Sequence, residues 1–143
     1  MRVAVPPCPN DERWTDAPIA TDWIIGGKPH ARATELARSP DGFFLTAAWD
    51  CTAGRFRWHY DVDETIHVLE GEAIIAGPDG QARTLTPGAV AIFQAGSTCV
   101  WEVPRYVRKL AVLHRPIPRP AGYALRAAGR LGRVWKRATA RAA

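Results

Sequence analysis

The fold class this sequence predicts is all-β, a sandwich or barrel, and three observations predict it. From Trp23 onward the chain is a series of apolar runs of about five to eight residues, with turn residues recurring every 8–12 or so, the spacing of short strands. Alternation is of period two: Ile66 and Val68 fall on one face of a strand, Thr65 and His67 on the other. No helical period fits anywhere between Phe43 and His114.

The elements follow in order. Residues 1–22 are polar and contain proline, and they form an arm that lies over something else. Residues 23–115 hold the strands. "GFFLTAAWD" precedes "TAGRFRWHY"; "ETIHVLEGEAIIAG" runs into the turn "PDG"; "QARTLT" meets "PG" and then "AVAIFQAG"; "TCVWEV" passes through Pro104 to "RYVRKLAVLHR". Residues 116–120, within "RPIPRP", are a stiff linker, because proline has no N–H to give a central strand. Residues 121–143 turn helical. Ala124, Ala127, Ala128, Leu131, Val134, Trp135 and Ala138 form one stripe at 100° per residue, opposite Arg126, Arg130, Arg133, Lys136, Arg137 and Arg141.

Composition sets bounds on function. A chain of 143 residues, 47% of them hydrophobic, suits one domain with a real core. No apolar run approaches the roughly 18 residues of a membrane span, and the opening "MRVAVPPCPNDERW" lacks the apolar region of a secretory signal. The cysteines Cys8, Cys51 and Cys99 are odd in number and make no CxxC pair, which argues against a disulfide scaffold or zinc ribbon and for a reducing cytoplasm. The net charge of +5 belongs to the tail. Residues 120–143 carry six basic and no acidic residues, leaving 13 basic and 14 acidic in residues 1–119. A near-neutral body does not suit a nucleic-acid groove. The basic helix either packs its apolar stripe on the barrel or a dimer mate, or engages an anionic membrane surface or RNA.

Chemistry concentrates between Arg57 and Gly71, in "RWHYDVDETIHVLEG". Glu64 shares a face with Ile66 and Val68, so a barrel interior that takes the two aliphatics also takes the carboxylate, which then needs a partner. His59 lies five residues earlier across an Asp-rich bend, and Cys99 shares a later face with Trp101 and Val103. His, carboxylate and thiolate are all metal-ligand types. Asp61 and Asp63 serve the bend, His67 points away from Glu64, and a lone cysteine such as Cys99 is more often a small buried hydrophobe than a ligand.

The phrases "WDCTAGRFRWHYDVDETIHVLEG" and "VWEVPRYVRKLAV" resemble a cupin, in particular the small single-domain cupins grouped with (S)-ureidoglycine aminohydrolase. The cupin first motif, HxH, four residues, Glu, six residues, Gly, falls on Arg57-Trp58-His59, Glu64 and Gly71. The second motif falls on Gly88, Gln94-Ala95-Gly96, Cys99 and Val103. The resemblance implies a cupin (RmlC-like) jelly-roll barrel, here with an N-terminal arm and a C-terminal amphipathic helix. Its pocket would hold Arg57, His59, Glu64 and Cys99, with Trp49, Trp58, Phe93 and Trp101 around them.

Two departures divide the functional reading. Arg57 stands where the family has a histidine, and a guanidinium binds no cation. Cys51 stands where the first motif opens with glycine. A three-ligand site of His59, Glu64 and Cys99 would take one divalent metal ion, Zn, Ni, Fe or Mn, and make the chain a metal-dependent enzyme acting on a small polar metabolite. Arg57 paired with Glu64 would instead neutralise the site and leave a metal-free binding or sensor cupin, with Arg57 recognising a carboxylate-bearing ligand. A third reading is a dimeric accessory or scaffold protein. Open sheet edges predict a homodimer.

Overall fold

The computed structural model describes residues 13–118 and 120–123. Its strands are β1 (Thr15–Asp16), β2 (Ile24–Gly27), β3 (Ala31–Arg38), β4 (Phe44–His59), β5 (Asp63–Gly71), β6 (Ala73–Ala76), β7 (Ala82–Leu85), β8 (Val90–Phe93) and β9 (Thr98–His114). A 3-10 turn spans Thr21–Trp23, and after the last strand a helical turn is described at 120–123, where Gly122 N–H donates to Pro118 O at 2.9 Å. The rest of the expected C-terminal helix, and the first twelve residues of the arm, lie outside the described residues. No helix among the described residues is long and apolar enough to cross a membrane.

Two long strands build the barrel. β4 and β9 pair antiparallel along nearly their whole length, with a register shift between Thr52 and Gly54. Residues 45–51 of β4 pair with β3, and residues 54–56 pair with β2. The C-terminal half of β9 pairs with β5, and its N-terminal half with β6. Each long strand therefore passes from one layer into another at the bulge, which is how orthogonal sheets make their corners. The rings of Trp49 and Phe56 measure the bend. Seven extended residues span about 23 Å, yet the two ring centroids are 6.5 Å apart.

The sequence supplies the corner. Thr52 pairs with Tyr106 and Gly54 with Val103, so Pro104 sits in the bulge, where its missing N–H costs no ladder bond. A side chain at Gly54 would run into the Pro29 ring. The runs on either side of Cys51 and of Pro104, which read as separate strands in sequence, are each one bent strand. Gly71 closes β5 at φ 69°, and a Cβ there would overlap the Tyr106 carbonyl oxygen.

The core lies between the layers. Cys51, Phe56, Ile66 and Val107 are fully buried, with Val68, Trp101 and Val103 almost so. The expected faces hold: Glu64, Ile66 and Val68 point inward together, as do Cys99, Trp101 and Val103, while His67 is exposed. The arm lies over the barrel as its composition suggests. β1 pairs with β3, Ala17 N–H donates to Ala31 O at 2.9 Å, and Ile19 enters the core.

Candidate functional site

Glu64 does face the interior, and its partner is Lys109. Nζ lies 2.5 Å from Oε1, and the two side chains are only 5% and 7% exposed. β9 brings Lys109 inward because Val107, Lys109 and Ala111 share a face by period two. Trp49 is its direct cross-strand neighbour on β4. The ammonium sits 4.9 Å from the centroids of both Trp49 and Trp101, so two π faces and one carboxylate hold the charge that burial would otherwise disfavour.

This pair forms the polar end of an apolar cavity of about 370 Å³. Trp49 and Trp58 wall one side, and Ala33, Ala47, Ala111 and Leu113 are among the small and aliphatic residues of the rest. Ala17 and Pro18 of the arm also line it. An outer-face cluster fixes the arm. Asp50, almost fully buried, accepts bonds from Arg32 at 2.6 and 3.2 Å and from Tyr106 Oη at 3.0 Å. Trp14 covers this cluster, with the Arg32 and Arg108 guanidinium carbons 5.2 and 5.3 Å from its ring centroid.

The other expected site residues separate. Arg57 and His59 are exposed on the outer face of β4, and His59 Nδ1 hydrogen-bonds the Thr98 hydroxyl at 2.7 Å. The reason is parity. Phe56, Trp58 and Tyr60 turn inward, so the strand presents aromatic rings where the motif frame placed Arg57 and His59. Neither Arg57 nor His59 joins Glu64. Cys99 faces inward but meets Tyr60 Oη, its Sγ at 3.7 Å, and Trp101 Nε1 donates to the same oxygen at 3.0 Å. Burial pushes the Cys99 thiol above its ordinary pKa. Burial pushes the Tyr60 hydroxyl up as well, with Cys99 and Glu64 adding to it.

The set His59, Glu64 and Cys99 therefore does not fit a metal ion. Its histidine is on the wrong face, its carboxylate is taken by an ammonium, and its thiol lies against the Tyr60 hydroxyl. Among the described residues, no group of three His, Cys, Asp or Glu side chains converges.

The aromatic expectations divide between two cavities. Trp49 and Trp58 line the cavity with Glu64, while Phe93 and Cys99 line a larger one of about 600 Å³ on the far side. Trp101, 2% exposed, stands between them at 6.0 Å from both Trp49 and Phe93. The larger cavity has one charged side chain, Arg83, which is tied to Asp79 at 2.8 Å. The smaller one carries the buried ion pair and is the candidate site. Asp63 holds the bend, accepting the Ala95 N–H at 2.8 Å. Lys109 is the residue sequence reasoning missed. Its signal was the period-two face it shares with Val107 and Ala111.

A bent all-β fold with the first-motif carboxylate Glu64 facing inward agrees with a cupin. The chain belongs to the EutQ-like cupin domain family, which matches residues 38–111. It is similar to a protein of unknown function from Pseudomonas syringae pv. tomato, with 22% identity over 70% of this chain and 43% of that one and a TM-score of 0.65. The chain thus spans less than half the length of that protein. It is also similar to a putative ethanolamine utilization protein EutQ from Salmonella typhimurium, with 27% identity over 59% of this chain and 69% of that one and a TM-score of 0.54. The EutQ protein of Clostridium difficile aligns at 17% identity over 69% and 81% of the two chains, with a TM-score of 0.55. No curated protein matches. Membership of the narrower ureidoglycine aminohydrolase-like group is not among these matches.

Proposed function

We propose that this chain is a small-molecule-binding cupin whose pocket is organised by the Glu64–Lys109 ion pair in the place of a metal ion. The observation that carries the reading is a buried charge pair at one end of an apolar cavity. Concave apolar space with a few convergent polar groups is the usual form of a small-molecule site. A buried ion pair is a poor device for stability alone, because desolvation cancels much of its attraction. An apolar pair of similar volume would fill the space as well. The metal-dependent enzyme reading needs His59 beside Glu64 and gains no support from the geometry.

The test is a thermal-shift screen over a small-molecule library, with hits located by the indole N–H resonances of Trp49 and Trp58. Hits that raise the melting temperature and move those two resonances support the reading. Hits that leave them unmoved would remove the cavity from the function.

We also propose a homodimer through the outer face of β8. Val90 and Ile92 there are 63% and 70% exposed on the strand that ends the main sheet order. Light scattering on the intact chain should give twice the 15.7 kDa chain mass, and V90E/I92E should halve it. A monomer mass before substitution refutes the dimer.

A further inference from the structure

The charge balance of the cavity narrows what it can hold. Resting on the pocket reading above, we propose that the ligand is an uncharged, mainly apolar molecule, such as a fused-ring or alicyclic compound, that bears a hydroxyl group seated on Glu64 and Lys109.

Glu64 and Lys109 are the only ionisable groups lining the cavity among the described residues, and they cancel. A ligand carboxylate would leave two buried anions sharing one cation. A ligand ammonium would add a second buried cation to a pair that one carboxylate already neutralises. A neutral ligand disturbs neither charge.

The hydrogen-bond inventory selects a hydroxyl. Among the described residues, Glu64 accepts one hydrogen bond, from Lys109, and it accepts it on Oε1. Oε2 remains as an acceptor. An ammonium has three protons, and Lys109 uses one on Glu64. A hydroxyl can donate to Oε2 while it accepts from Nζ. An ether or ketone can only accept, and a bare hydrocarbon can do neither. Lys109, held by two indole faces and a carboxylate, serves here as a hydrogen-bond donor.

The walls fit the same class. Alanines 33, 47 and 111 give low relief, and the indoles of Trp49 and Trp58 meet edge to face at 6.0 Å. A volume of about 370 Å³ accommodates two fused rings, and sites for small ligands begin at about 300 Å³.

The experiment titrates the full chain by calorimetry at pH 7 with five matched probes, with binding located by the Trp49 and Trp58 indole resonances. The probes are naphthalene, 2-naphthol, 2-methoxynaphthalene, 2-naphthoate and 2-naphthylmethylammonium. The expected result is that 2-naphthol binds best, and that the anion, the cation and the methyl ether each bind at least tenfold more weakly. If either charged probe binds as tightly as 2-naphthol, the neutral-ligand inference is overturned and the pocket stands. If the ether matches 2-naphthol, the donated hydroxyl bond is overturned. If no probe moves the two indoles, this inference and the pocket reading both fall.

Discussion

Lys109 Nζ reaches Glu64 Oε1 at 2.5 Å although the two residues are not cross-strand neighbours: Lys109 faces Val68, and Glu64 faces Leu113. The long side chains cross the interior to meet, between Trp49 and Trp101. Such a pair is fragile to half-removal. Lys109→Met should cost about 3–5 kcal/mol in a urea titration, because it strands a buried carboxylate. Glu64→Leu combined with Lys109→Met should recover most of that loss. Equal destabilisation by the single and double variants would show that the cost is lost packing and not a stranded charge.

The outward turn of Arg57 carries a second prediction. Arg57→His restores the histidine of the cupin frame in sequence, but the position faces solvent on β4. Elemental analysis of the purified variant, after exposure to zinc and desalting, should match wild type. Stoichiometric zinc in the variant alone would place residue 57 at the pocket.

Alkaline pH supplies a third. Burial pushes the Cys51 thiol from 9.0 up to about 12, with Asp50 adding to it. The unfolded chain loses this proton near the ordinary thiol pKa, and the folded chain keeps it. Above that pH the unfolded state binds fewer protons, so stability falls with rising pH. The contribution is intact below about pH 9 and declines towards pH 12 by about 1.4 kcal/mol per pH unit. Denaturant midpoints across that range should fall less steeply for Cys51→Ala. Parallel curves would refute the buried-thiol account.

Much of the fold was legible because period two is a local signal. Glu64, Ile66 and Val68, and Cys99, Trp101 and Val103, could be put on shared faces from sequence alone, and both sets point inward. The bends were not legible. Gly54 and Pro104 look like strand breaks, yet each lies inside one continuous strand that changes layer, because a bulge tolerates what a regular ladder does not. The site was half legible. Burial of Glu64 required a partner, and the metal-free reading offered Arg57, which the strand turns outward and which is not the true partner. The partner's identity was out of reach, since Lys109 lies 45 residues further along the chain. The motif frame drew attention to Arg57 and His59, but the strand phase ahead of the Asp61 bend puts Trp58 and Tyr60 inside. Only the pairing of β4 with β9 settles that phase.

The central claim is that Glu64 and Lys109 recognise a ligand, and one calorimetric comparison tests it most directly. 2-Naphthol is titrated into wild type and into the Glu64→Leu, Lys109→Met double variant, which keeps the volume of the site and removes both charges. The account predicts at least tenfold weaker binding to the double variant, at comparable thermal stability. Equal affinity for the two proteins would contradict it, leaving the ion pair a structural feature of the barrel.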